Sequence, residues 1–351
     1  MSQHQASPLA DLDEFARRLP KVELHCHLIG AIPVAAYLDI ASRNRAPVRS
    51  ADPSEAYAFA SFEDFLDLYH HICLSLQGQG DFSQAGYEAL GRQAKTGNVR
   101  YTEMFFSPSD HPQVPYRIQV DGLIDGLRAA QRDHGIVGRL IPSINRSQPA
   151  SVARAMVEDV IANPRDEVLG IGMDNDETLG PPARFVDAYQ LAGANGLKRT
   201  AHAGERGLAK EVAQTIDLLH VDRLDHGYGI VNDPELLSLV RDTGLHFTGC
   251  WSVSLIQMGS DNPALGRMLD AGLNVSINSD DPAVIPTDLA MEYAGAARTL
   301  GLDRSDLVRC ALAAVDATWM DDSDRLVLRR SLETEIAALE RGPGDPGAES
   351  P

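Results

Sequence analysis

Short apolar runs alternate with longer amphipathic stretches along most of this chain. The runs fall at 22–28, 99–106, 137–144, 168–174, 198–204, 223–227, 245–251 and 274–280 and read as strands. Between them, apolar residues recur at helical spacing. Leu123, Ile124, Leu127 and Ala130 share one face, and Leu236, Leu237 and Val240 share another. Gly97-Asn98, Gly135, Gly196, Gly244 and Gly272 stand where these helices are expected to stop. Eight strands with intervening helices predict an α/β fold, a closed parallel (β/α)8 (TIM) barrel. An open doubly wound sheet is the alternative, but no Gly-x-Gly-x-x-Gly turn follows the first strand.

Two regions exceed the minimal barrel. The span between Gly30 and Val99 is too long for one strand-to-helix connection. Within it, Phe62, Phe65, Leu66, Tyr69 and Ile72 form one helical face, so 31–76 reads as extra helices over the barrel mouth, where such additions often wall a pocket. After the eighth strand, 288–300, 303–317 and 323–340 read as three helices that close and extend the barrel. The chain then divides into a flexible N-terminal arm at 1–12, a single domain at 13–341 and a disordered tail at 342–351, which is rich in Gly and Pro.

Composition narrows the class. The chain has 351 residues, 44% of them hydrophobic, enough for a sizeable core. There is no apolar run of about 18 residues to suggest a membrane span, and the polar N-terminus does not resemble a secretory signal. Cys26, Cys73, Cys250 and Cys310 are scattered, with no Cys-x-x-Cys, so neither a disulfide framework nor a thiolate metal site is expected. A cytoplasmic location fits. Asp and Glu number 50 against 31 Lys and Arg, a net charge of −19, which argues against a nucleic-acid partner and accommodates a small neutral or cationic one.

The chemistry collects where strands end. His25 and His27 are two apart on the first strand, so both imidazoles point to one face and Cys26 to the other. The fifth strand ends His202-Ala203-Gly204-Glu205, the sixth Asp225-His226-Gly227, and the eighth Ser279-Asp280-Asp281-Pro282. Each alone suits a core histidine or a helix cap. Together they lie on the face where barrels of this kind carry their chemistry.

Glu23-Leu24-His25-Cys26-His27-Leu28-Ile29-Gly30, His202-Ala203-Gly204-Glu205, His226-Gly227-Tyr228 and Ser276-Ile277-Asn278-Ser279-Asp280-Asp281-Pro282 together resemble the adenosine deaminase family, in order and strand placement, over nearly the whole chain. The family's zinc-dependent barrel, within the amidohydrolase superfamily, hydrolyses the 6-amino group of adenine rings. The resemblance implies one zinc, or another divalent ion such as Fe2+, held by His25, His27, His202 and Asp280. It implies that His226 takes the proton of the attacking water and that Glu205 protonates ring nitrogen N1. Asp281 is expected at N7, with Asn175, Gly204 and Ile29 as further substrate-binding positions. The partner is a small purine. A binuclear centre would want a bridging lysine on the fourth strand, which has none. The other zinc deaminase design, His-x-Glu with Pro-Cys-x-x-Cys, is absent.

The departures concern the substrate. Two residues after the second histidine, adenosine deaminases carry Asp and adenine deaminases Glu; here it is Ile29. Met173-Asp174-Asn175-Asp176-Glu177 and Asp222-Arg223-Leu224-Asp225-His226-Gly227 look more like adenine deaminases, while Tyr228 and Cys250-Trp251-Ser252 are closer to nucleoside deaminases. An apolar Ile29 suggests an adenosine-type nucleoside without a free 5′-hydroxyl, such as a 5′-deoxy, 5′-thioether or aminodeoxyfutalosine-type compound. Adenine deamination is the alternative. A degenerate barrel that binds a purine without turnover is a third reading, opposed by the intact catalytic set.

Overall fold

The computed structural model describes residues 8–258 and 263–341. Its strands are β1 (Lys21–His27), β2 (Val99–Phe106), β3 (Val137–Asn145), β4 (Gly170–Asp174), β5 (Lys198–Arg199), β6 (His202–Ala203), β7 (Arg223–His226), β8 (His246–Cys250) and β9 (Asn274–Asn278). Among the described residues every strand pairing is parallel, in the orders β1-β2-β3-β4-β5 and β6-β7-β8-β9. Helices intervene between most strands, as the alternating pattern requires.

The expected fifth strand is split. Residues 198–203 still run as one segment between neighbours: Thr200 N donates to Ile171 O at 3.0 Å and Asp225 N to Ala201 O at 3.0 Å. At the break the Thr200 carbonyl accepts the Tyr189 hydroxyl at 2.6 Å, a side-chain partner in place of a ladder amide. On the far side, β1 meets the segment after β9. His27 N donates to Asp280 O at 2.8 Å, Asp280 N donates to His25 O at 3.0 Å, and Cys26 pairs with Asp280 in a parallel bridge. The last strand therefore returns to the first, as the (β/α)8 reading expects.

The extra helices are present. Leu28–Ala31, Val34–Asn44 and Phe62–Ser75 fill the connection after β1. Leu289–Leu300, Arg304–Asp316 and Asp322–Arg341 follow β9, close to the expected bounds. Ser61, Asp288 and Asp303 cap three of these helices by accepting backbone amides from Asp64, Met291 and Asp306. The N-terminal arm needs correction at 8–12. Pro8–Arg18 is a helix, because Asp11 and Asp13 pair with Arg304 and Arg298 while Phe15 and Ala16 are buried. Residues 1–7 and 342–351 lie outside the described residues, and so do the readings of a loose arm and tail there.

A buried polar layer ties the staves together inside the sheet. Arg223 on β7 donates to Glu103 on β2 at 2.8 Å, with both side chains almost wholly out of water. Glu103 also accepts from the Tyr101 hydroxyl at 2.9 Å and from Trp319 N at 2.7 Å, and the Arg223 guanidinium lies 4.2 Å from the Trp319 ring centroid. Glu23 on β1 accepts from Ser279 Oγ at 2.7 Å. Removing one member of such a pair strands a charge in low dielectric. Arg223→Met is therefore expected to destabilise the fold by about 3–5 kcal/mol, read as a lowered urea midpoint at unchanged slope.

Candidate active site

β1 is buried along its whole length, and its alternation sends His25 and His27 inward. Cys26 points away and packs under Gln93, whose Nε2 lies 3.1 Å from its sulfur. β6 contributes His202, the end of β7 His226, and the turn after β9 Asp280. His27 Nε2 and His202 Nε2 are 3.1 Å apart. Asp280 Oδ1 lies 3.3 Å from His27 Nε2 and 3.5 Å from His25 Nε2. The donor atoms of His25, His27, His202 and Asp280 all lie within 4.8 Å of one another, and all four residues are buried. His25 Nε2 has no hydrogen-bond partner among the described residues. Three imidazole nitrogens and a carboxylate aimed at one point, one of them orphaned, form a donor set of the kind that holds a divalent metal with an open coordination position.

Each imidazole is fixed from behind. His25 Nδ1 meets Thr248 Oγ1 at 2.9 Å, His27 Nδ1 faces Asp174 Oδ2 at 3.6 Å, and His202 Nδ1 faces Asp225 Oδ2 at 3.5 Å. The Phe105 ring packs against all three, with centroids 5.1–5.5 Å away. Motif reading did not single out Thr248, Phe105 or the tie from Asp174 to Ser107 Oγ (2.9 Å). A signal exists for Thr248: it sits two residues before Cys250 on β8 and so shares that residue's face.

His226 stands beside this group. Its Nε2 is 3.7 Å from Asp280 Oδ2, and its Nδ1 is 3.3 Å from the Tyr228 hydroxyl. Burial, helped by the neighbouring His25, pushes its imidazole well below its ordinary value, which keeps it a neutral base. Glu205 follows the Gly204 turn and faces the same space, with Gln257 Nε2 donating to Oε1 at 3.1 Å. Burial and the nearby Asp280 charge raise its carboxyl to about 7, so it can carry a proton near neutrality. Asp281 Oδ1 is buried and has no hydrogen-bond partner among the described residues. It packs so tightly on the chain after β1 that a Cβ on Gly30 would lie 1.8 Å from it, which explains the glycine.

Backbone strain marks the same places. Among the described residues six non-glycines have positive φ. Arg45, Asn98 and His220 end helices. Asn175 (72°), His226 (63°) and Asp280 (62°) end strands at the site, a conformation whose cost persists only where surroundings enforce it.

A cavity of about 400 Å3 opens over these groups. Its floor includes His27, His202, Glu205, His226, Asp280 and Asp281, with Asp174 and Asn175 beside them. Phe59, just before the Phe62–Ser75 helix, and Phe62, Phe65 and Leu66 on it wall the cavity together with Val253 and Ile256. Asn175 is where expected and donates to Asp174 Oδ1 at 3.1 Å. Ile29 and Gly204 are not. Ile29 is 1% exposed within the apolar core and does not line the cavity, because the chain turns into Leu28–Ala31 helix immediately after His27. Gly204 does not line it either; at φ 65° it supplies the turn that presents Glu205. Trp251 packs on Gly295 and donates to Thr299 Oγ1 at 2.6 Å, away from the cavity.

Known proteins resemble this chain in sequence and fold. An adenine deaminase of Rhodopseudomonas palustris is 32% identical over 338 residues, 94% of this chain and 98% of that one. A crystal structure of an amidohydrolase from Burkholderia ambifaria with bound Zn superposes with a TM-score of 0.88 at 33% identity, covering 97% of this chain and 96% of its own. The N6-mAMP deaminase of Arabidopsis gives a TM-score of 0.81 at 26% identity over 92% of this chain and 99% of its own. Residues 20–335 match the family model described as adenosine deaminase. With its fold, site and sequence in agreement, the chain belongs to the adenosine deaminase family.

Proposed function

We propose that this protein hydrolyses the 6-amino group of adenine, giving hypoxanthine and ammonia. The observation that carries the deaminase reading is the convergence of His25, His27, His202 and Asp280 on one point, with His226, Glu205 and Asp281 around the same cavity. The residues fit a divalent ion, zinc by analogy with the relative that binds it. Such an ion, when bound, supplies activated water near neutral pH. His226, neutral and held by the Tyr228 hydroxyl, accepts the water's proton as oxygen adds to C6. Glu205 delivers a proton to N1, drawing electrons from C6. Asp281, whose carboxyl burial and the Asp280 charge raise well above its usual range, keeps its proton and donates it to N7, fixing the ring. His226 then returns its proton to the amino group, ammonia leaves C6, and the C6 hydroxyl proton passes back to Glu205 as the carbonyl forms.

Two observations favour the free base. The relative at 32% identity is named adenine deaminase. Ile29 has withdrawn into the core, so the 5′ position of a nucleoside has no partner from that residue, and the case for a 5′-modified nucleoside loses its footing. The cavity of about 400 Å3 has room for a substituent beyond a purine ring, which keeps an uncharged nucleoside as the second reading. A phosphate ester fits poorly: the lining holds Asp174, Glu205, Asp280 and Asp281 and includes no Lys or Arg among the described residues. This favours an uncharged purine over a nucleotide.

The test is a panel of adenine, adenosine and AMP with zinc-loaded protein, following absorbance and ammonia. Adenine is expected to have the highest kcat/KM, with AMP lower by ~100-fold or more. Efficient turnover of AMP, or ammonia from none of the three, contradicts the proposal. Glu205→Gln is expected to lower kcat by ~10²–10⁴-fold while leaving metal content unchanged; loss of metal instead would place Glu205 in the metal site.

A further inference from the structure

We propose that Asp225 is a positioning residue that sets the tautomers of two metal-facing imidazoles at once. This rests on the reading of His25, His27, His202 and Asp280 as a metal site. Asp225 is fully buried one position before His226. Its Oδ1 accepts the Thr248 hydroxyl at 2.9 Å, and its Oδ2 lies 3.5 Å from His202 Nδ1. Neither Asp225 Oδ2 nor His202 Nδ1 has any other partner among the described residues.

Hydrogen-bond direction does the rest. An ionised carboxylate only accepts. Thr248 has one hydroxyl proton and gives it to Asp225, so toward His25 its Oγ1 can only accept. His25 must then carry its proton on Nδ1 and present a bare Nε2 to the site. The same carboxylate draws the proton of His202 to Nδ1 and leaves its Nε2 bare as well. Metal ligation requires that tautomer of both rings. The third ring is independent, because His27 faces Asp174.

An amide in place of the carboxylate cannot do both jobs. If the amide turns its oxygen to Thr248, its NH2 confronts His202 Nδ1 and drives that proton to Nε2. If it turns its NH2 to Thr248, the hydroxyl proton is free to donate to His25 Nδ1, with the same effect there. Asp225→Asn therefore preserves shape and removes a metal-competent tautomer from one ring or the other.

The experiment measures Zn2+ affinity by competition with a chromophoric chelator, and the Co2+ ligand-field spectrum, for the wild type, Asp225→Asn, Thr248→Val and Thr248→Ser, each checked for fold by circular dichroism and thermal melting. Asp225→Asn and Thr248→Val are expected to weaken binding about 10–100-fold and to alter the Co2+ spectrum, while Thr248→Ser, which keeps the hydroxyl, restores both. A folded Asp225→Asn that binds metal as tightly as the wild type overturns the assignment, as does a Thr248→Ser that behaves like Thr248→Val. If the wild type itself binds no metal, the site reading fails rather than this inference alone. If Asp225→Asn does not fold, the Thr248 pair decides.

Discussion

The site depends on β1 closing against the end of β9. Two backbone hydrogen bonds, His27 N to Asp280 O and Asp280 N to His25 O, lay Asp280 between the two inward histidines of β1. His25 and His27 are fixed relative to each other by strand alternation, but the carboxylate that completes their group comes from more than 250 residues along the chain. Asp280 reaches it through a positive φ of 62°, and Asp281 next to it turns back onto Gly30, where no side chain fits. The strain at Asp280 and the missing side chain at Gly30 are two consequences of one closure.

Around that seam the cavity is divided by chemistry. Its floor carries imidazoles and carboxylates drawn from strand ends, and its wall carries the aromatic face of Phe62–Ser75. Buried carboxylates repel one another, and burial itself disfavours their charge. The structure meets this differently at each group. Burial opposes the charge of Asp225, but the hydrogen bond from His202 and the fields of His25 and Arg223 hold its carboxyl well below the usual range. Glu205 has no Lys or Arg paired to its oxygens among the described residues, and burial and the Asp280 charge raise it to about 7. The carboxyl behind His202 is thereby kept as an acceptor, while the one at the cavity floor is raised toward holding a proton.

Much of this was legible in the sequence because each strand end carries its functional residues in a short run. Strand periodicity and the rule that barrel chemistry sits at the strands' C-terminal ends gathered His25 and His27, His202 with Glu205, His226, and Asp280 with Asp281 on one face, and the family resemblance supplied the role expected of each. The aromatic spacing of Phe62, Phe65 and Leu66 likewise announced the wall. What failed were inferences that needed the path of the chain beyond a strand. Ile29 reads as a pocket residue by its distance from His27, yet a helical turn from Leu28 carries it into the core. Asp225 stood in a strand-end run without a role, and Thr248 escaped notice, for another reason. The two meet across neighbouring strands, 23 residues apart in sequence, and no local pattern records which way a shared proton points.

The most direct test of the central claim is an anomalous difference map at the zinc edge from crystals of zinc-loaded protein. The account predicts one strong peak among His25 Nε2, His27 Nε2, His202 Nε2 and Asp280. A peak instead among His226, Cys250 and Asp280, a second donor group whose ligand atoms also converge with His25, or no peak at all, would contradict it.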